Sequence, residues 1–251
     1  METKRIYNLK RGIENPDDDE IMKFRHTFTQ LPRKVDLRDK LPKVYNQGAL
    51  GSCSAQACSA AYEYISNKPP NPSKLFMYYN ARLLDGEEWV TEDAGATLVS
   101  CIDGMKKFGV CPEKKWPYDI SKFAIKPPEE CYTKAKQSIV TEVNRVSRSL
   151  QDMKACLASN FPFVFGIIIF PSFEDPIVGK TGNVPLPGKE EKSLGGHAML
   201  CCGYDDDRQV FICRNSWSDI WGDKGYCYIP YDYFTNNQIS WNFYCIKKAS
   251  R

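Results

Sequence analysis

Histidine is the scarcest reactive residue in this chain, with two among 251 residues. Chemistry that needs an imidazole base must therefore use His26 or His197. A surplus of one charge sign is also missing. Thirty-four lysines and arginines face 31 acids, a formal net charge of +3, and both signs are scattered. Neither a nucleic acid nor an anionic membrane is therefore expected as a partner. No run of about 18 apolar residues exists, so no membrane span is expected. The longest apolar stretch, Phe161 to Phe170, is interrupted by Pro162 and Gly166 and reads as a buried strand. The start, Met1-Glu2-Thr3-Lys4-Arg5, leads into polar sequence with no apolar h-region behind it. That predicts a cytoplasmic or otherwise non-secretory setting, or a virion if the source is a virus. Internal repeats and low-complexity tracts are absent.

What is present is an ordinary globular mixture, 42% hydrophobic and 26% charged, enough for one large domain or two packed lobes. The eleven cysteines are an odd count. Without a secretory signal they read mostly as reduced thiols. Cys201, Cys202, Cys213 and Cys227 sit in strand-like segments and read as small buried hydrophobes.

The chain changes character along its length. Residues 1–34 have no hydrophobic period, carry the acidic run Asp17 to Glu20, and read as an arm. An Ala- and Ser-rich helix is predicted from about Ser52 to Ser66, with Pro69-Pro70-Asn71-Pro72 as its stop. Helices are also predicted over about 73–84 and over 97–108, the latter stopping at Gly109. Beyond residue 137, strand patterns dominate: 138–146, 163–170, 197–204, 209–214 and 225–230, with one helix near 150–159. Helices first and strands later predict an α+β fold. The predicted parts are a mainly helical lobe over 35–136 and a mainly β lobe over 137–251.

The strongest local feature is Gln47-Gly48-Ala49-Leu50-Gly51-Ser52-Cys53. A glycine-punctuated loop delivers a cysteine to the first turn of a helix, where unpaired N–H groups favour thiolate over thiol. Cys58, five residues on, points away from it. Of the two histidines, His26 lies in the polar arm, where nothing is expected to fix its ring. His197 follows Gly195-Gly196 and opens a strand that would hold it. Arg214-Asn215-Ser216-Trp217 then supplies an asparagine that completes a Cys-His-Asn set.

Gln-(five residues)-Cys, then Gly-His-Ala, then Asn-Ser-Trp-(three residues)-Trp-Gly-(two residues)-Gly-Tyr, in that order, resembles the papain and cathepsin family of cysteine peptidases. The likeness covers about residues 32–246. It implies a two-lobed fold, with a helical first lobe, an antiparallel, barrel-like second lobe and the cleft between them. It also implies an endopeptidase that works through a thiolate–imidazolium pair and a covalent acyl-enzyme, without cofactor or metal, on a polypeptide substrate and as a monomer. Carried over residue by residue, Cys53 is the nucleophile, His197 its base and Asn215 the group that orients the base. Gln47 and the Cys53 N–H form the oxyanion hole, and Trp217 shields the Asn215–His197 contact. Gly51 and Ser52 border the cleft beside the nucleophile. Gly95-Ala96 would bind the extended substrate backbone. Leu98 would wall the pocket for the second residue before the cut, with Gly196 at its edge.

Several family features are missing. Leu50 replaces a cysteine that normally forms a disulfide, Ser54 replaces an aromatic, Ala96 a glycine and Ser218 a glycine. Cys111 and Cys131 flank a Pro-rich loop and form the one disulfide pairing the sequence leaves open. An inhibitory propeptide of about 100 residues is also missing. This resembles the short-arm branch of bacteria and large DNA viruses, which shares segments like Gly109-Val110-Cys111-Pro112-Glu113 and Trp116-Pro117-Tyr118. The arm is then either a cleft-blocking inhibitor of a zymogen or a tail. Two rival functions stand beside the peptidase: a catalytically silent binding protein of the same fold, and an amidase or transglutaminase-like enzyme with the same Cys-His-Asn chemistry.

Overall fold

The computed structural model describes residues 5–12, 22–66 and 71–250. The acidic run from Asp17 to Glu20 and the Pro69-Pro70 pair lie outside them. Helices fill the first half: α1 (Cys53–Ser66), α2 (Lys74–Asp85), α3 (Leu98–Lys107) and α4 (Glu129–Ala135). Hydroxyl side chains cap two of them, Ser73 accepting from Phe76 N and Thr97 from Ser100 N. The next turn after α3 is reversed by Gly109, at φ 84°, where a Cβ would be strained. The second half carries strands β3 (Val140–Arg145), β4 (Phe163–Ile169), β5 (Gly195–Asp205), β6 (Val210–Arg214), β7 (Tyr226–Pro230) and β8 (Ser240–Ala249). Between them lie helices α5 (Leu150–Ala158), α6 (Pro176–Thr181) and α7 (Tyr231–Thr235). Two short strands precede α1: β1 (Met22–Lys23) pairs in parallel with β3, and β2 (Lys34–Asp36) pairs antiparallel with β5.

Apart from the β1–β3 pair, the pairings are antiparallel, in the order β1-β3-β8-β4-β5-β6-β7. The sheet is mostly antiparallel and open; it does not close on itself. β8 was not expected from the sequence, although it lies inside the sheet between β3 and β4. Asn242, at φ 54°, interrupts its alternation, and the register against β4 shifts between Val164 and Gly166.

Alternation along β4 and β5 separates two cores. Phe163, Phe165, Ile167, Met199 and Cys201 face one, which also holds Trp217, Trp221 and α5 residues. Val164, Ala198 and Leu200 face the other, with the Ala-rich face of α1 and with Leu75, Tyr78 and Leu98. Small residues at Ala55, Ala57, Ala60 and Ala61 let α1 pack closely on this second core. The start of α1 and the start of β5 thus meet where the two cores adjoin.

Candidate active site

Cys53 is the first residue of α1 and is buried. Burial pushes its thiol up to about 12, against a downward pull from the backbone amides of Ala198, Ser54 and Cys53 itself. The Ala198 amide follows His197 on β5, so the sulfur and the imidazole share one corner. His197 Nε2 donates to Asn215 Oδ1 at 2.8 Å, a role that fixes the proton on Nε2 and leaves Nδ1 as the basic nitrogen. Nδ1 is buried and has no hydrogen-bond partner among the described residues. Burial lowers the His197 pKa to about 4; the Asn215 bond opposes this and the Arg5 charge adds to it. Trp217 lies over the imidazole, with ring centroids 4.9 Å apart and planes 32° apart. Asn215 Oδ1 also accepts from the Ser216 N–H at 2.8 Å, which fixes the amide.

The loop before Cys53 is held from several sides. The Gln47 side chain gives one N–H to Leu50 O at 2.9 Å, and its oxygen accepts from the Ser216 hydroxyl at 2.6 Å. Among the described residues, the second N–H of that amide has no hydrogen-bond partner. Tyr118 donates to Gln47 O at 2.9 Å, and its hydroxyl lies 2.6 Å from Ser52 Oγ. Asp93 accepts from the Gly51 N–H through both oxygens, each at 3.0 Å. The sequence reading gave no role to Tyr118 or Asp93. A proline-flanked tyrosine and an acid beside Ala94-Gly95 were the only signals available.

Residues 5–12 run through this corner. Arg5 stacks over Trp217, 4.2 Å from the ring centroid, and pairs with Glu174. The Tyr7 ring meets His197 edge-on at 6.1 Å and Trp217 at 6.0 Å. Asn8 Nδ2 donates to Asp93 O at 2.7 Å, and the Leu9 N–H donates to Gly196 O at 3.1 Å. A Cβ on Gly95 would stand 1.9 Å from Asn8 O, and one on Gly196 2.4 Å from Leu9 O. Both positions therefore need glycine for the backbone contact they make. Leu9 is buried among Leu98, Ala198 and Trp241, and Ala96 belongs to the same cluster. Leu98 is a core residue of α3 and belongs to the same cluster as Leu9. Lys10 stacks on Trp89 and the Gly12 N–H reaches Asn242 Oδ1 at 3.2 Å.

One sequence expectation changes, and two further points are resolved. His26 is not free in the arm: its Nε2 lies 3.2 Å from Asp152 Oδ1, and neighbouring Phe24 is part of the core. Residues 22–24 are thus built into the sheet, with the Phe24 N–H bonded to Arg145 O at 2.7 Å. Cys111 and Cys131 are free, buried thiols in contact with each other. Ser218, in place of the family's glycine, keeps φ 70°, the left-handed region that glycine enters without steric cost. Cys58 behaves as expected and turns to the Cys101 thiol, away from Cys53.

Comparison with known proteins agrees with this corner. Residues 31–245 match the family described as papain family cysteine protease. A protein of Acanthamoeba polyphaga mimivirus, described as an uncharacterized peptidase C1-like protein, is 35% identical over 261 residues, covering 99% of this chain and 81% of that one. The crystal structure of xylellain, a cysteine protease from Xylella fastidiosa, superposes with a TM-score of 0.84 at 37% identity, covering 98% of each chain. Chymopapain of Carica papaya is 25% identical over 219 residues; the match covers 86% of this chain and 59% of chymopapain. Procathepsin L 3 of Tenebrio molitor shares the fold, with a TM-score of 0.67 at 18% identity. The viral and bacterial relatives fall in the branch that the short arm suggested. A cysteine at a helix start, the imidazole beside it and a family match over most of the length lead to one conclusion: this chain belongs to the papain family of cysteine proteases.

Proposed function

We propose that this chain is an endopeptidase of extended polypeptides, with Cys53, His197, Asn215 and Gln47 as its working residues and its own arm as inhibitor. The observation that carries the reading is the His197 ring, tied to Asn215 through Nε2 while Nδ1 is buried and unpartnered. With substrate bound, Cys53 gives its proton to Nδ1 and the thiolate attacks the scissile carbonyl carbon. The oxyanion is met by the Cys53 N–H and the free Gln47 N–H. Collapse breaks the C–N bond as His197 returns the proton to the leaving amine. Water, with His197 again as base, then hydrolyses the thioester. Trp217 keeps bulk water from the Asn215–His197 bond. Covalent labelling by an epoxysuccinyl peptide tests this: Cys53 should be modified, and a peptide-library profile should show cleavage. Absence of both favours the silent binding protein.

Residues 1–34 are read as the arm, 35–136 as the helical lobe and 137–251 as the β lobe. Inhibition by the arm rests on its path. Running from Tyr7 at His197 to Leu9 at Gly196, the arm travels from the reacting groups toward the expected pocket for the second residue before the cut. A substrate would run the other way, so the arm fills the cleft without presenting a peptide bond for attack. Leu9 in that pocket supports a preference for an aliphatic side chain there. Burying it stabilises the docked arm by about 1.5–3 kcal/mol. The closed site is also electrically silent, because burial raises the thiol and lowers the imidazole and so disfavours the ion pair. Eleven free, buried thiols support a reducing, non-secretory setting.

A further inference from the structure

Leu50, where the family carries a disulfide-bonded cysteine, leaves the nucleophile loop without a covalent tie. A polar tie stands next to it. Asp93 receives the Gly51 N–H on both carboxylate oxygens at 3.0 Å, and Tyr78 donates its hydroxyl to the same carboxylate. The Tyr78 oxygen in turn accepts the Gly95 N–H at 3.1 Å. One carboxylate and one phenol thus connect the loop that aims Cys53 to the backbone expected to bind the substrate. Tyr78 is fully buried on α2. Burial, and then its bond to Asp93, hold the phenol protonated, so its direction of donation is fixed.

The tie is anchored behind. Arg82, one turn along α2 from Tyr78 and fully buried, places its guanidinium 4.2 Å from the Tyr78 ring centroid. It donates to Val90 O at 2.8 Å, to Glu92 O at 2.7 Å and to Phe123 O. The bonds to Val90 and Glu92 hold the turn leading to Asp93 against α2. The single Gly51 N–H is shared between the two carboxylate oxygens, so it points at the carboxylate as a whole, and Gly51 stands two residues before the oxyanion donor.

Resting on the peptidase reading above, we propose that Asp93 is a positioning residue, with Tyr78 as its relay. Together they hold the nucleophile loop and the substrate-binding backbone at Gly95 in one fixed relation. The Gly51 branch acts on the oxyanion donor and so on kcat. The Tyr78 branch acts on Gly95 and so on substrate binding. The two branches can be separated, which a general stabilising role could not produce.

The test uses the full-length chain, unaltered and with Tyr7→Ala, with rates normalised to Cys53 titrated by an epoxysuccinyl peptide. Asp93→Ala should lower kcat per titrated site about tenfold or more and also raise KM. Asp93→Asn, which keeps an acceptor for Gly51, should recover most of kcat. Tyr78→Phe should raise KM for an extended peptide about five- to tenfold, with kcat changing less than KM. Unchanged kcat and KM per titrated site in Asp93→Ala, with only a lower Tm, overturn the positioning role alone. A parental chain and a Tyr7→Ala chain that both leave Cys53 untitrated overturn it together with the peptidase reading.

Discussion

Asn215 Oδ1 lies 2.8 Å from His197 Nε2, and this contact assigns opposite roles to the two nitrogens of one ring. Nε2 is held as a donor and Nδ1 is left as the base, because a neutral imidazole carries one proton. An asparagine suffices at this position. In the mechanism proposed above, the partner of the base is a thiol that can itself carry the negative charge, so the third residue only has to orient the ring.

Removing that orientation has a cost that can be read in kinetics. Asn215→Ala should lower kcat by roughly ten- to hundredfold, the worth of one hydrogen bond to a charged group, about 1.5–3 kcal/mol. KM should change little. A drop in Tm without loss of kcat would show that Asn215 serves stability only.

The choice of nucleophile can be checked among eleven thiols. Cys53→Ala should abolish turnover and epoxysuccinyl labelling, whereas Cys58→Ala, which removes a thiol facing Cys101, should retain both. Mass spectrometry of the labelled chain decides; modification of the Cys53→Ala protein contradicts the assignment.

Opening the arm calls for a point change rather than a long truncation. A chain beginning at Pro32 would also lose Phe24 from the core and the β1–β3 pairing, mixing unfolding with release. Leu9→Asp places an unpaired charge in the apolar space beside Leu98 and removes about 1.5–3 kcal/mol of burial. Hydrolysis of a small peptide should rise at least tenfold. Unchanged rates would show that the arm does not restrain the enzyme.

Acid should loosen the arm. In the closed chain the His197 pKa lies at about 4, below its ordinary 6.5, so in the Cys53→Ala chain, where no thiolate can pair with the ring, the closed form binds fewer protons than a released form with an ordinary imidazole. Its advantage is full above pH 6.5 and declines as pH falls toward 4, by at most about 3 kcal/mol. Opening of residues 5–12 in that chain, followed by hydrogen exchange corrected for intrinsic rate, should increase roughly twentyfold from pH 7 to pH 5. Exchange that ignores pH would mean that His197 protonation does not drive release.

Much of this protein is legible in its sequence, because helix and strand periods, glycine stops and the chemistry of Cys, His and Asn are local properties. The three helices α1 to α3 and strands β3 to β7 follow from those patterns within a residue or two. β8 does not, since Asn242 in the left-handed region breaks its alternation. Cys53, His197, Asn215 and Gln47 stand out as candidates by residue type and order. Other relationships do not: Asp93 beneath Gly51, Tyr118 on Gln47, Asp152 on His26 and Leu9 against Gly196. Each joins segments that the chain keeps apart and that only packing brings together. Residue type and order along the chain mark out the side chains suited to the chemistry. Which buried N–H meets which oxygen is set by packing, because a polar group removed from water must find whatever partner its new neighbours supply.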